Sequence, residues 1–352
     1  MSDVRGLDET ALAAWLAGAC PELADGPLTA RLLAGGRSNL TYRVDGGRVP
    51  LVLRRPPLGH VLATAHDMGR EHRVLSALAG TAVPVPPVLD LVDDTGGTIT
   101  GTPFYVMHLV EGRVLAAPGD DAGLSPSGRR ALGLELAATL ADLHAIDPAA
   151  VRLGDFGRPD GYLARQLTTW KRQQDASRTR DLPGLDRLQA GLVARLPGPG
   201  AGAARPTVVH GDYRLDNVLV AGSGDEPRVA AVLDWEMATL GDPLVDLGML
   251  GLYWEISQLP GVTALVPSAV DPDAGYATFD EVVAAYAARA GTDVPDLRWY
   301  RAFASYKLAV IAEGIHHRYL QGETLGAGFD QVGAFVAPLS DDGLARLGAL
   351  AP

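Results

Sequence analysis

The sequence predicts an α+β fold of two lobes: a small lobe of antiparallel strands carrying one helix, and a larger lobe that is mainly helical. Three observations lead there. Strand-like segments at residues 39–45, 50–55, 88–92 and 103–110 surround a single helical stretch at 64–79. Residues 125–196, and those from Leu244 onward, instead repeat apolar side chains at helical spacing. Between these helical regions lies one hairpin, whose apolar runs Val218–Val220 and Val229–Leu233 are joined by the turn residues AGSGDEP. The lobes are placed at residues 1–107 and 108–352, with the glycine that ends PFYVMHLVEG marking the passage.

Taken in order, NLTYRVD (39–45) alternates apolar and polar residues through Leu40, Tyr42 and Val44, the period of a half-buried strand. Before it, in LLAGGRSN, Gly35 and Gly36 allow a backbone to approach a phosphate closely, and Ser38 and Asn39 add donors. The same glycines equally make an ordinary turn between two strands. In PLVLRR (50–55) side chains alternate across the strand, so Val52 and Arg54 share one face and Leu51, Leu53 and Arg55 the other. The helix TAHDMGREHRVLSALA (64–79) carries a stripe of Met68, Leu75 and Leu78, and Glu71 points with it. An inward carboxylate needs a cationic partner, and Arg54 is the natural one. VPVPPV (83–88) is a stiff extended linker into strands Val88–Val92 and Pro103–Val110.

In the second lobe, Ser125-Pro126 reads as a cap and first turn. Leu132, Leu136, Leu140 and Leu143 follow at helical spacing, ending at His144, which is read as a hydrogen-bonded core histidine. Residues 160–196 continue as amphipathic helix, PGPGAGAARP (197–206) is a flexible loop, and a strand precedes His210. Helices are expected at Pro243–Tyr253, Asp280–Ala290 and Leu297–Gln321. His316 and His317 are no metal pair, because adjacent helix positions point apart.

The chemistry concentrates in the 37 residues from His210 to Asp246, which hold HGDYRLDNVLV and all but the last two residues of VAAVLDWEMATLGDPLVDLG. Asn217 lies five residues after Asp212, and Asp234 lies 22 residues after it. In an antiparallel hairpin the start of the first strand lies beside the end of the second. With Asn217 opening one strand, Asp234 closing the other and Asp212 in the loop just before, three oxygen-bearing side chains are expected to converge. Hard oxygen ligands with room for waters and phosphate oxygens suit magnesium. A phosphoryl-transfer centre has this pattern: an Asp meets the acceptor hydroxyl, an Asn five residues on holds one metal, and a later Asp holds another.

The HGD start, the Asp234-Trp235 pair and GDPLVDLG (241–248) resemble the aminoglycoside phosphotransferase and choline kinase group. More narrowly, HGDYRLDN and LDWEMATLGDPLVDLG look like the branch whose members also occur fused to acyl-CoA dehydrogenases. The resemblance covers most of the chain and is specific around residues 35–71 and 207–248. It implies a protein-kinase-like two-lobe fold and transfer of the γ-phosphoryl group of ATP, or GTP, to a small-molecule hydroxyl with Mg2+. Asp212 then orients the hydroxyl and accepts its proton, Asn217 and Asp234 hold magnesium, and His210 and Asp246 support the loop. Arg214 either faces the transferring phosphate or is solvated. The nucleotide falls to Ser38, Val52 at the adenine, Arg54 on the phosphates fixed by Glu71, and the strand end Met107, His108 and Leu109. In the resembled family that strand end is the hinge whose backbone binds adenine; a plain interdomain strand is the other reading.

One departure stands out. The usual phosphate-holding residue is lysine, and the only lysines here are Lys171 and Lys307, well outside this region. Arginine can bind phosphate bidentately, but the change keeps open a rival of another class, a nucleotide-binding pseudokinase scaffold. The acceptor is open between an aminoglycoside, a choline-like compound, a sugar, and a hydroxy acid or hydroxyacyl-CoA. Trp254, Tyr300, Phe303 and Tyr306 suggest an aromatic acceptor wall, and Arg298, Arg301 and Arg318 would repel a polycation.

Composition agrees: 47% hydrophobic and 20% charged residues describe an ordinary globular chain. A formal net charge of −12 argues against nucleic acid as a partner, because phosphate backbones are bound by basic surfaces. Cys20 is the single cysteine, so no intramolecular disulfide forms and a reducing compartment is the default. The N-terminal segment has early acids and an amphipathic pattern unlike a signal peptide. No apolar run approaches the roughly 20 residues that span a bilayer. The expectation is a cytoplasmic monomer or homodimer with a small-molecule partner and no membrane association.

Overall fold

The computed structural model describes residues 6–33, 39–58, 67–198, 205–259, 267–323 and 328–350. Gly35, Gly36 and Ser38, the start of the expected 64–79 helix and most of the 197–206 loop lie outside them. Backbone contacts divide the chain into two compact units, one of Met1–Glu111 with Ala230–Glu236, the other of Gly112–Val229 with Met237–Pro352.

The first unit contains α1 (Glu9–Ala19), β1 (Thr29–Leu32), β2 (Leu40–Asp45), β3 (Leu51–Arg55), α2 (Met68–Leu78), β4 (Val88–Val92) and β5 (Phe104–His108). The strands form one sheet in the order β1-β2-β3-β5-β4, with every neighbouring pair antiparallel. Strand alternation assigns the faces. Tyr42, Val44, Leu51, Leu53, Phe104 and Val106 join Leu12 and Leu16 of α1 in one apolar core, where Trp15 meets Phe104 edge-on. The opposite face carries Val52 and Arg54, paired across to Met107 and Tyr105 of β5. Arg55 turns to the α1 face as expected, and its guanidinium donates to the carbonyls of Gly6, Pro56 and Thr100.

The second unit opens with α3 (Pro126–Ala145), whose cap Ser125 accepts from the Gly128 amide. The expected stripe of Leu132, Leu136, Leu140 and Leu143 is fully buried. Two helices, α4 (Tyr162–Ser177) and α5 (Pro183–Ala194), replace the single amphipathic stretch expected at 160–196, the break falling just before Pro183. Next come β6 (Thr207–Val209), β7 (Val218–Ala221), β8 (Arg228–Val232), which the division of the chain assigns from Ala230 on to the first unit, and β9 (Thr239–Gly241). The expected hairpin forms as the β7–β8 sheet, and β6 pairs antiparallel with β9, a strand the sequence did not announce. Helices α6 (Leu244–Trp254), α7 (Phe279–Ala290), α8 (Arg298–Leu320) and α9 (Val336–Gly348) complete the unit. Helix α8 is its centre, packed on α4, α5, α6 and α9. Among the described residues no helix is long and apolar enough to cross a membrane.

Helices α6 and α8 touch closely at Gly248. A Cβ there would lie 2.7 Å from the carbonyl carbon and oxygen of Tyr300. Alanine in a helix interior gains about 1 kcal/mol over glycine, whereas overpacking typically costs about 1–3 kcal/mol. The obstacle here is backbone, which cannot swing aside. With backbone as the obstacle the cost falls at the upper end, about 3 kcal/mol, so Gly248→Ala is expected to lose about 2 kcal/mol on balance in urea unfolding. A variant as stable as the parent would contradict this packing.

Candidate active site

In the first unit the strand parity delivers Arg54 to Glu71. Arg54 Nε donates to Glu71 Oε2 at 2.7 Å, Tyr105 Oη donates to the same oxygen at 2.9 Å, and Asn39 Nδ2 donates to Oε1 at 2.6 Å. Glu71 is 2% exposed. Burial pushes its pKa up and Arg54 opposes this, leaving it above the usual carboxylate value. Arg54 has a second partner: Nη2 donates to Asp234 Oδ1 at 2.6 Å. Burial works against the guanidinium, but Glu71, Tyr105 and Asp234 outweigh it and hold the charge firmly in place. A single ammonium has no such fork for two carboxylates. Tyr105 was not singled out from the sequence, although its cross-strand pairing with Arg54 follows from the register of β3 and β5.

Asp234 adopts a left-handed backbone with φ 63° just after β8. Asn217 ends a short 3-10 turn, Leu215–Asn217, just before β7. Neither residue is inside a strand, as the sequence reading had it; each sits in the turn that flanks one. Two nucleotide assignments also change. Asn39, expected to offer a donor to phosphate, is fully buried and spends its amide on Glu71 and, at 3.4 Å, on Glu236. The His108 and Leu109 amides, expected at the adenine edge, already donate to Pro87 and Pro50 carbonyls at 2.9 and 3.2 Å, because β5 is an interior strand. Val52 and Met107 are buried neighbours on the Arg54 face. Ser38 lies outside the described residues.

In the second unit Asp246 organises the loop after β6. Its carboxylate accepts from the His210 amide at 2.6 Å and the Gly211 amide at 2.8 Å, with His144 Nε2 at 3.3 Å. His144 Nε2 therefore presents a proton to Asp246, and Nδ1 lies 2.8 Å from the Tyr286 hydroxyl. Burial pushes the Asp246 pKa up, but His144, His210 and the amide bonds outweigh it and hold it below the usual range. Gly211 has φ 85°, and a Cβ there would lie 2.7 Å from the Met237 carbonyl oxygen. Only glycine fits.

The loop then presents Asp212, whose amide donates to His210 Nδ1 at 3.2 Å. Asn217 Nδ2 donates to the Asp212 backbone oxygen at 2.8 Å and to Oδ2 at 2.9 Å. That leaves Asn217 Oδ1 as the atom turned away from Asp212. Arg214 is part-buried and engaged: Nε lies 3.3 Å from Asp212 Oδ2, Nη1 lies 3.0 Å from Asp216 Oδ2, and the guanidinium sits 4.5 Å above the Tyr253 ring. Beside it is a recess lined by Leu115, Arg214, Asp216, Leu250, Tyr253 and Trp254.

The aromatic wall expected for an acceptor is mostly elsewhere. Tyr300, Phe303 and Tyr306 are buried where α8 packs in the middle of the unit, and their hydroxyls or rings are used internally by Asp242, Trp299 and Gln174. Arg298 and Arg301 pair with Asp296 and Glu255, and Arg318 is exposed. Of that set only Trp254 lines the recess.

A family model described as the phosphotransferase enzyme family matches residues 29–303. The chain is 34% identical over 339 residues to mouse acyl-CoA dehydrogenase family member 10; the match covers 95% of this chain and 31% of that protein, so the chain spans under a third of its length. A solved protein of Ralstonia eutropha JMP134, described provisionally as an aminoglycoside phosphotransferase, is 33% identical with a TM-score of 0.82, covering 98% of this chain and 100% of that one. An aminoglycoside phosphotransferase solved with GDP and kanamycin is 17% identical with a TM-score of 0.63, covering 95% and 99%. That last likeness is one of fold alone.

Asp246→Asn tests the loop anchor. Asparagine offers one acceptor oxygen and turns an NH2 group toward the second amide. The charged hydrogen bonds are lost, and the variant is expected to unfold with about 3 kcal/mol less stability in denaturant titration. A loss below about 1 kcal/mol, the worth of an ordinary hydrogen bond, would show that Asp246 does not anchor the loop.

Proposed function

Because the chain belongs to the phosphotransferase enzyme family and has the kinase-like fold of aminoglycoside phosphotransferases, we propose that it transfers the γ-phosphoryl group of ATP or GTP to a hydroxyl on a small molecule. The observation that carries the reading is the loop at Asp212. Its backbone is tied through His210 and Gly211 to a buried carboxylate, its side chain is 23% exposed, and Asn217 is fixed on it by two hydrogen bonds. A carboxylate held this firmly, yet reachable from solvent, suits a group that meets an incoming hydroxyl and takes its proton as the phosphoryl group moves.

The remaining roles follow from the same chemistry. Arg54, fixed by Glu71, clamps the nucleotide phosphates. Asn217 Oδ1 and the Asp234 carboxylate are hard oxygens of the kind magnesium takes. Asn217 and Asp234 would each offer an oxygen to such an ion, which would supply positive charge against the phosphates. Val52 and Met107 offer an apolar surface to the base. With the His108 and Leu109 amides engaged in the sheet, the base edge is left to carbonyls at this strand end and to the Val110 amide.

For the acceptor, the lining of the recess beside Arg214 weighs against a polycation. Among its described lining residues the one acid, Asp216, is engaged by Arg214, so a polycationic aminoglycoside finds little there to hold it. A hydroxy acid or hydroxyacyl-CoA is the more specific reading, favoured by similarity to part of acyl-CoA dehydrogenase family member 10. The rival pseudokinase scaffold has no use for a reachable, immobilised Asp212.

Two variants test these assignments. Asp212→Ala is expected to bind MgATP nearly as the parent does while ATP turnover, read by ADP release, falls about 10²–10⁴-fold. Turnover that survives means the chemistry lies elsewhere, and a parent protein that binds MgATP without any turnover favours the scaffold. Asp234→Asn is expected to lose the magnesium-dependent part of ATP stabilisation in a thermal-shift assay. An unchanged magnesium increment would remove Asp234 from the metal site.

A further inference from the structure

Lys171 and Lys307 are the only lysines in the chain. Lys171 lies half-exposed on α4, paired with Asp175. Lys307 lies in the middle of α8 and is 4% exposed. Its ammonium donates to the Gly211 carbonyl oxygen at 2.5 Å, stands 3.8 Å from Met237 Sδ and lies 5.4 Å from the centroid of the Trp170 ring. Among the described residues no carboxylate is within ion-pair distance of it. A backbone carbonyl, a thioether and an aromatic face are weak company for a buried charge. An apolar side chain of the same length would pack this position at less cost. What the lysine supplies, and an apolar residue does not, is a donor to Gly211.

That donor completes a set. The Gly211 amide is held by Asp246, the Gly211 carbonyl by Lys307, and the Asp212 amide by His210 Nδ1. The last two belong to one peptide plane, the plane that carries Asp212. Glycine leaves its backbone permissive, so the tilt of this plane is set by its partners. Burial pushes the Lys307 pKa down, while Asp212 and Asp246 act to keep the ammonium charged.

We propose that Lys307 is a positioning residue for Asp212, fixing the direction of its carboxylate through the Gly211 carbonyl. The proposal rests on reading Asp212 as the group that meets the acceptor hydroxyl. Lys307 touches neither nucleotide nor acceptor in this scheme, so its removal acts on turnover and not on binding.

The test compares Lys307→Met, which keeps length and loses the donor, with Lys307→Arg, which restores charge and donors, and with Lys171→Met as a surface control. Misplacement of a catalytic group by about 1 Å costs on the order of 10²-fold, so Lys307→Met is expected to lower kcat about 10- to 100-fold with KM for ATP within about twofold of the parent. Lys307→Arg is expected to recover most of that loss, and Lys171→Met to change nothing. Hydrogen exchange should accelerate at residues 208–217 in Lys307→Met while α8 keeps its protection. Should that variant fail to fold, Lys307→Gln, with a donor on a shorter stem, is expected to show a smaller kcat loss confined in the same way. A folded Lys307→Met with parental kcat overturns the proposal, as does faster exchange spread along α8 that arginine does not reverse. If the parent shows no turnover at all, the phosphotransfer reading fails. The exchange measurement then still decides, since unchanged protection at 208–217 overturns the hold of Lys307 on the loop.

Discussion

A single buried carboxylate accepting two successive backbone amides is the constraint on which the second unit's chemistry depends. Asp246 stands in the first turn of α6, where the helix dipole favours negative charge. An ionised acceptor makes short, strong bonds to N–H donors, and here those donors are the amides on either side of the His210 Cα–C bond, running into Gly211. His144 and Tyr286 complete the chain behind it. Everything the loop presents afterwards inherits this anchor. Gly211 turns where no other residue fits, Asp212 follows with its amide on His210, and Asn217 closes back on Asp212. Tyr213 ties the same loop to α3 through the Leu136 carbonyl. The Asp212 carboxylate, although on a loop, is thereby tied to buried groups through its own backbone and through Asn217.

The first unit solves a different problem with related physics. Glu71 is buried on an apolar helix face and would be costly as an unpaired ion. Three donors meet it, and Arg54 carries the compensating charge. The arginine also reaches Asp234, so one guanidinium spans two carboxylates. This changes what the replacement of the usual lysine means. The arginine keeps the positive charge and meets its two acids with two different nitrogens set by one rigid plane.

Much of this was legible in the sequence because it depends on short-range periodicities. Strand parity separated Arg54 from Arg55, helix spacing turned Glu71 inward, and turn residues marked the β7–β8 hairpin. Where the sequence reading failed, the deciding contact was long-range. The aromatic residues of α8 follow a pattern that suits a pocket wall or a core equally, and only the packing of four helices around α8 makes Tyr300, Phe303 and Tyr306 core. The His108 and Leu109 amides are engaged because β5 lies between two strands, a matter of sheet order that local sequence does not carry. Strand β9 is three residues long and pairs with β6 across an interval of about thirty residues, too short a run for any period to show. Lys307 gave no signal at all, since nothing along α8 says that its tip ends at Gly211.

The central claim is that this chain moves a phosphoryl group onto a hydroxyl. The most direct measurement supplies the parent protein with magnesium and γ-labelled ATP, together with hydroxy acids, hydroxyacyl-CoA thioesters, sugars, choline and aminoglycosides, and follows the label by mass spectrometry and 31P NMR. The expected result is label in a phosphate ester of one acceptor class, formed in step with ADP and absent without magnesium. Label that stays in ATP, or appears only as inorganic phosphate with every acceptor class, would contradict the account.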